Sequence, residues 1–131
     1  METGKVKQVS DMGDFKNIIN SNAHVIVDFF ATWCGPCKTL APQLDQMARE
    51  NPQVCFLKID VDEADDIASE YGISAMPTVH IFNTGKIAKT VVGVNPSVIQ
   101  HYISANTGKF KFNFISLNFF LFFTINFILL F

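Results

Sequence analysis

The first 108 residues lack features that three large classes of protein need. Their three cysteines, Cys34, Cys37 and Cys55, are too few and odd in number for the disulfide framework of a small secreted domain. Residues 1–108 contain 8 Lys+Arg and 12 Asp+Glu, a formal charge near −4, and no basic run. A nucleic-acid-binding surface is therefore not expected. Residues 1–13 contain no apolar stretch of signal-peptide length. We therefore expect a protein of the reducing cytoplasm.

Strand and helix signals alternate along this part of the chain. Continuous apolar runs at residues 25–30 and 54–59 predict two strands buried on both faces. Residues 34–50 carry apolar side chains at helical spacing. Asn83-Thr84-Gly85 predicts a hairpin turn, and Asn95-Pro96 predicts the capped start of a last helix. The predicted order, βαβαβαββα, is an α/β fold with a mixed central sheet flanked by helices on both faces.

A pair of cysteines lies where a predicted strand meets a predicted helix, in the segment Trp33-Cys34-Gly35-Pro36-Cys37. Unpaired N–H groups and the positive end of the helix dipole favour the thiolate of Cys34, which makes it the expected nucleophile. Cys37, one turn further in and more covered, is expected to attack second. Gly35 and Pro36 restrict the loop. A zinc site is the alternative, but it needs a second Cys/His pair at ligand spacing, which the sequence lacks.

Over about residues 5–107 the sequence resembles the thioredoxin family. The resemblance implies a thioredoxin fold and a protein-disulfide reductase that contributes to cell redox homeostasis. It implies no bound cofactor, electrons from NADPH through thioredoxin reductase, and disulfide-containing proteins as targets. Gly35-Pro36 is similar to the reducing branch of the family. The residues that carry the resemblance are 27–38 (VDFFATWCGPCK), Ala41-Pro42, 58–62 (KIDVD), Met76-Pro77-Thr78, Phe82, Gly85 and Val92-Gly93.

Asp28 is an acid inside an otherwise apolar strand. Burial of a carboxylate is costly unless it has a partner or a task, and burial raises its pKa. The resemblance implies that Asp28 transfers protons near Cys37, with Lys58 on the adjacent strand as its partner. A purely structural ion pair is the alternative.

The resemblance also implies a surface for an extended target chain. The peptide bond between Met76 and Pro77 would be cis, and the Met76 backbone would pair with the target. From the sequence alone, a trans proline at a strand start is the alternative. The expected substrate-binding residues are Trp33, Gly35, Pro36, Ile73, Met76, Pro77, Val92 and Gly93.

The remaining cysteine and the histidines carry weaker signals. Cys55 lies mid-strand between apolar neighbours, which favours a small core side chain over a regulatory thiol. The histidines, His24, His80 and His101, lie far apart without ligand spacing, so we expect them at the surface or at strand ends.

Residues 109–131 form a separate hydrophobic C-terminal tail with 9 of the 14 phenylalanines. Residues 112–131 contain no charge and 15 apolar residues among 20, enough to span a bilayer, and Lys109 and Lys111 fit a cytosolic flank. One hypothesis is a membrane anchor with the domain facing the cytosol. The other, which we favour, is translated non-coding sequence, because codons of A and T alone can encode 21 of the 23 residues. The expected domain is residues 1–108.

A function of another class stays open at this point. A binding module could hold a partner on its reduced face and release it on oxidation. The presence of Cys34, Cys37, Asp28, Lys58 and Pro77 together favours the enzyme, because a binding surface alone would not require all of them.

Overall fold

The computed structural model of the chain describes residues 2–108. The hypotheses about residues 109–131 lie outside the described residues. Residues 2–108 form strands and helices in the predicted order: β1 (Val6–Gln8), α1 (Met12–Ser21), β2 (His24–Phe30), α2 (Gly35–Glu50), β3 (Cys55–Asp60), α3 (Asp65–Glu70), β4 (Thr78–Asn83), β5 (Lys86–Val92) and α4 (Pro96–Asn106).

The strands form one mixed sheet in the order β1-β3-β2-β4-β5. The first three of these pair in parallel, whereas β4 pairs antiparallel with β2 and with β5. The β4–β5 turn has positive φ at Thr84 (47°) and Gly85 (81°), as tight hairpins require. The prediction of a mixed sheet is confirmed, and β2 lies at its centre.

Helices cover both faces of this sheet. One apolar cluster joins α1 and α3 to the sheet through Phe15, Ile67 and Phe29, and a second joins α2 and α4 to the other face through Leu40 and Ile99. Successive side chains of a strand alternate between faces, so Phe29 faces α1 while its neighbour Asp28 belongs to the α2 face. Among residues 2–108, no helix combines the length and apolar character needed to cross a bilayer.

Local signals set several helix ends. Asp11 caps α1, since its Oδ1 accepts a hydrogen bond from the N–H of Asp14 at 2.8 Å. Gly72 follows α3 with φ +64°, the left-handed conformation expected after a helix end. Asn95 precedes α4 as predicted, but its side chain accepts from the Ser97 hydroxyl at 3.1 Å instead of capping a backbone N–H.

The two ends of β3 mark two opposite ends of the domain. Just after β3, the N–H of Val61 donates to the carbonyl of Phe30 at 3.0 Å, so the carboxyl ends of β2 and β3 lie side by side. Just before β3, the Gln53 amide donates to the Thr107 hydroxyl at 3.3 Å. The described chain therefore finishes α4 at the end of the sheet away from the carboxyl ends of β2 and β3.

The expectation for His80 was wrong. His80 lies inside β4 and is only 5 % exposed. Strand alternation turns its ring to the α1/α3 face, where it meets the rings of Phe29, Tyr71 and Phe82 at 5.2, 6.2 and 6.1 Å. Burial lowers the pKa of His80, so the ring is neutral at pH 7. His24 begins β2, a strand end as expected.

Phe15 fixes α1 to the sheet. It is fully buried and packs edge-to-face on Tyr71 and Phe82. We expect Phe15→Ala to lower the free energy of unfolding by about 3–5 kcal/mol, because it removes apolar burial and leaves a cavity. Urea unfolding measures this loss. The neighbouring Lys16→Ala, which breaks only an exposed ion pair to Glu70, should cost less than about 1 kcal/mol, and equal losses would contradict the assignment.

Candidate active site

Cys34 and Cys37 are joined in a disulfide at the first turn of α2, with their Cα atoms 5.3 Å apart. Cys34 is the N-cap residue, and its Sγ accepts a hydrogen bond from the backbone N–H of Cys37 at 3.2 Å. Pro36 occupies the first helical turn, where its missing N–H leaves no bond unmade. In the reduced pair the same N–H and the helix dipole would stabilise a thiolate at Cys34.

The two sulfurs differ more in their neighbours than in their exposure. Cys34 is 5 % exposed and Cys37 is 3 % exposed. In the disulfide form, Cys37 is therefore only slightly more buried than Cys34, a smaller difference than we expected. Sγ of Cys34 lies 3.6 Å from the carbonyl oxygen of Met76, whereas Cys37 lines a cavity together with Asp28. Cys34 therefore lies beside the loop before β4, and Cys37 beside a buried acid.

The loop before β4 has the geometry that the resemblance implied. The Met76–Pro77 peptide bond is cis. The N–H of Gly93 donates to the carbonyl of Pro77 at 2.8 Å, and Gly93 has φ +81°, where a side chain would be strained. Val92, next to it, is 64 % exposed. The structure thus brings Met76, Pro77, Val92 and Gly93 together near the disulfide.

Ile73 is half-buried. One side of it packs against the apolar cluster under α1 and α3, and its N–H donates to the carbonyl of Ala68 at 2.9 Å. The place at the target-binding rim that the resemblance implies for Ile73 stays a prediction.

Trp33 stands beside Cys34 with a partner that the sequence did not suggest. Its side chain is 66 % exposed, and its indole Nε1 donates to Oδ2 of Asp62 at 2.9 Å. The N–H of Asp62 in turn donates to Oδ1 of Asp60 at 3.0 Å. The only sequence signal for Asp62 was its place in the resembling segment 58–62.

Asp28 is buried below the disulfide, with 4 % of its surface exposed. Burial raises its pKa to about 7, and the nearby charge of Lys58 lowers that value by a smaller amount. Oδ1 of Asp28 is buried without a hydrogen-bond partner. A carboxyl group in this state exchanges a proton with its surroundings near neutral pH.

Lys58 is the neighbour of Asp28 on β3, but the two do not form an ion pair. Within residues 2–108 no carboxylate lies within 4 Å of its ammonium group. That group lies 5.8 Å from the centre of the Phe30 ring. The expected partnership is therefore one of nearby charge, because the long side chain places its head over an aromatic ring.

An open cavity of about 260 Å³ connects these groups. It gives the buried carboxyl group and the second cysteine a common route to solvent. Lys38, which the sequence analysis did not single out, contributes a second cation to the wall. The lining residues are Asp28, Phe30, Ala31, Thr32, Cys37, Lys38, Ala41 and Lys58.

Neither a metal site nor a second redox pair is apparent in the described part of the chain. Residues 2–108 contain no group of three or more His, Cys, Asp or Glu side chains placed to hold a metal ion. Cys55 begins β3 and is 8 % exposed, and burial raises the pKa of its thiol to about 11. Cys55 thus occupies the core position that its sequence context indicated, with its thiol protonated at neutral pH.

Comparisons with known proteins agree with this geometry. The family model described as Thioredoxin matches residues 5–105. The chain is 50 % identical over 101 residues to a thioredoxin of Echinococcus granulosus, covering 77 % of this chain and 94 % of that protein. It is 45 % identical over 101 residues to thioredoxin-1 of Schizosaccharomyces pombe, covering 77 % of this chain and 98 % of that protein.

A solved structure resembles the fold as well. It concerns the thiol resolving mechanism in yeast mitochondrial 1-Cys peroxiredoxin via glutathione/thioredoxin systems. The similarity has a TM-score of 0.73 and 34 % identity, and it covers 80 % of this chain and 99 % of that one.

The buried carboxyl group of Asp28 makes stability depend on pH. Its pKa is about 7 in the folded protein against 3.8 normally, so between these values the folded state binds more protons and stability falls as pH rises. At 1.36 kcal/mol per unit, the shift amounts to about 4 kcal/mol above pH 7. We expect Asp28→Asn to raise the free energy of unfolding at pH 8 and to change it little at pH 4. Urea unfolding at both pH values tests this, and an equal effect at both would contradict it.

Proposed function

Because the chain belongs to the thioredoxin family and its chemistry is dithiol–disulfide exchange, we propose that it is a general protein-disulfide reductase in which Cys34 attacks and Cys37 resolves. The observation that carries this proposal is the disulfide at the start of α2, with the Cys37 N–H directed at Sγ of Cys34. A thiolate at that position is stabilised without any metal or prosthetic group.

The first step forms a mixed disulfide. The Cys34 thiolate attacks one sulfur of the target disulfide, a bond forms between Cys34 and that sulfur, and the other target sulfur leaves as a thiolate that takes a proton. The Cys34 site supports this step because an exposed Trp33 and the Met76 carbonyl flank the sulfur.

The second step releases the target. Cys37 gives its proton to the Asp28 carboxylate and attacks Sγ of Cys34, which restores the Cys34–Cys37 disulfide and expels the second target sulfur as a thiolate that takes a proton. In total, the cysteine pair gives up two electrons and both target sulfurs become thiols. The shared cavity and a pKa of about 7 at Asp28 support this role, since a base titrating near the working pH both accepts and returns a proton.

Lys58 acts on Asp28 through its charge. Its ammonium group favours the ionised carboxylate, which keeps the pKa of Asp28 from rising further with burial. We assign Lys58 an electrostatic role and no bond to the reacting sulfurs.

Target proteins bind across the face that surrounds Cys34. The Met76 backbone offers its carbonyl to an extended target strand, and the exposed Trp33 and Val92 side chains make the rim around it apolar. Gly35 adds no side chain that would block the approach. The residues we assign to this face are Trp33, Gly35, Pro36, Ile73, Met76, Pro77, Val92 and Gly93.

The electron supply lies outside the domain. We propose that NADPH, through thioredoxin reductase, returns the disulfide to the dithiol in the cytoplasm. Relatives named thioredoxin support this assignment, and the yeast peroxiredoxin structure supports thiol peroxidases as one class of target. A membrane location would apply only if residues 112–131 act as an anchor.

The catalytic domain is residues 1–108. The family model ends at residue 105 and α4 ends at Asn106, which supports this boundary. Residues 109–131 take no part in the proposed chemistry.

The direct test is reduction of insulin disulfides by the full chain, with dithiothreitol as the electron source. We expect Cys34→Ser to abolish turnover, because it removes the attacking thiolate. Residues 1–108 should match the full chain if the domain boundary is right. Inactivity of a folded wild-type protein, together with partner binding that survives Cys34→Ser and Cys37→Ser, would favour the binding module instead.

The role of Asp28 predicts a pH-dependent defect. We expect Asp28→Asn to slow turnover by roughly tenfold or more near pH 7, because the resolving thiol loses its base. The gap should narrow as pH approaches 9, because hydroxide in solution can then take the proton of the resolving thiol in place of Asp28. Insulin reduction from pH 6 to 9 measures both rates, and unchanged turnover across that range would exclude the proton-transfer role.

A further inference from the structure

Trp33 is the single tryptophan of the chain and the residue just before Cys34. At 66 % exposure, it exceeds Val92, Ile87 and Val94 among the exposed large apolar side chains of residues 2–108. A large ring held in solvent beside the reacting sulfur is covered whenever a target protein reaches that sulfur.

The indole ring carries one polar group, an N–H that can only donate. A target that covers the ring removes water from this group. If no acceptor replaced the water, binding would weaken, because a buried donor without a partner is costly. In this protein the N–H already donates to Oδ2 of Asp62 at 2.9 Å.

The acceptor is held in place from below. The N–H of Asp62 donates to Oδ1 of Asp60 at 3.0 Å, which is a tight local turn at the end of β3. The N–H of Val61 donates to the carbonyl of Phe30 at 3.0 Å, and the Val61 side chain packs against the cluster that contains both cysteines. The position of the Asp62 carboxylate is therefore tied to the carboxyl ends of β2 and β3.

We propose that Asp62 is a positioning residue for the reduction of protein disulfides. It satisfies the indole N–H before any target arrives and fixes the ring beside Cys34. A target then covers the ring without having to supply an acceptor at that point. The contact with Trp33 is thereby independent of target sequence, which suits a reductase of many unrelated proteins. The inference rests on the proposed reductase function and deepens it.

Two substitutions at Asp62 separate its hydrogen bond from its charge. Asp62→Asn removes the charge but keeps a side-chain oxygen that accepts from the indole, whereas Asp62→Leu removes both. Glu63→Leu is the matched control, because its carboxylate bonds to Gln8 and not to Trp33. Asp62→Ala replaces Asp62→Leu if circular dichroism shows that the leucine variant is misfolded.

The pre-reduced full chain is mixed with varied insulin, and single-turnover rates give the half-saturating concentration and the limiting rate. We expect Asp62→Leu to raise the half-saturating concentration about tenfold, which corresponds to about 1.4 kcal/mol, with the limiting rate little changed. Asp62→Asn and Glu63→Leu should stay within about twofold of wild type. With bis(2-hydroxyethyl) disulfide, too small to cover the ring, all variants should react alike.

The emission of Trp33 provides a second readout. Asp62→Leu should lower its fluorescence anisotropy, and Asp62→Asn should restore it, because the ring is held by the hydrogen bond. An unchanged half-saturating concentration in Asp62→Leu, or an equal defect in Asp62→Asn, would overturn the positioning role while wild-type turnover upholds the reductase. Inactivity of the wild type on both disulfides would overturn the reductase assignment and this inference with it.

Discussion

The hydrogen bond from the Cys37 N–H to Sγ of Cys34 links the fold to the chemistry, because it exists only where α2 begins. The start of α2 is set by packing, since Leu40 and Leu44 bury the helix against the sheet. That packing places the first turn over the carboxyl ends of β2 and β3. A helix that began elsewhere would leave two ordinary thiols without a donor between them.

The buried carboxyl group of Asp28 in the central strand lowers the stability of the fold at neutral pH. A hydrophobic residue at this position would suit a fully buried strand better, and the unpartnered oxygen emphasises the mismatch. Two features fit the proposed proton transfer: the acid shares a cavity with Cys37, and Lys58 lies close enough to lower its pKa but not to bind it. A tight ion pair would hold the carboxylate ionised and remove its ability to return a proton near pH 7.

The order of strands and helices followed from periodicity and turn residues, and the redox pair followed from its place at a strand–helix junction. Three features needed three-dimensional packing. His80 turned inward because strand alternation placed it among aromatic rings. The ammonium group of Lys58 lies over the Phe30 ring and does not form an ion pair with Asp28. Asp62 meets Trp33 across 29 positions of chain, a separation at which no local pattern reports contact.

The hydrogen bond between Gln53 and Thr107 fixes where the described chain ends relative to the disulfide. Helix α4 ends beside the residues that precede β3, while the disulfide lies beyond the opposite end of that six-residue strand, roughly 20 Å away. A tether, a fusion partner or a solid support joined after Gly108 is attached at the end of the domain opposite the disulfide. If the domain were immobilised through that end, its disulfide would face away from the support.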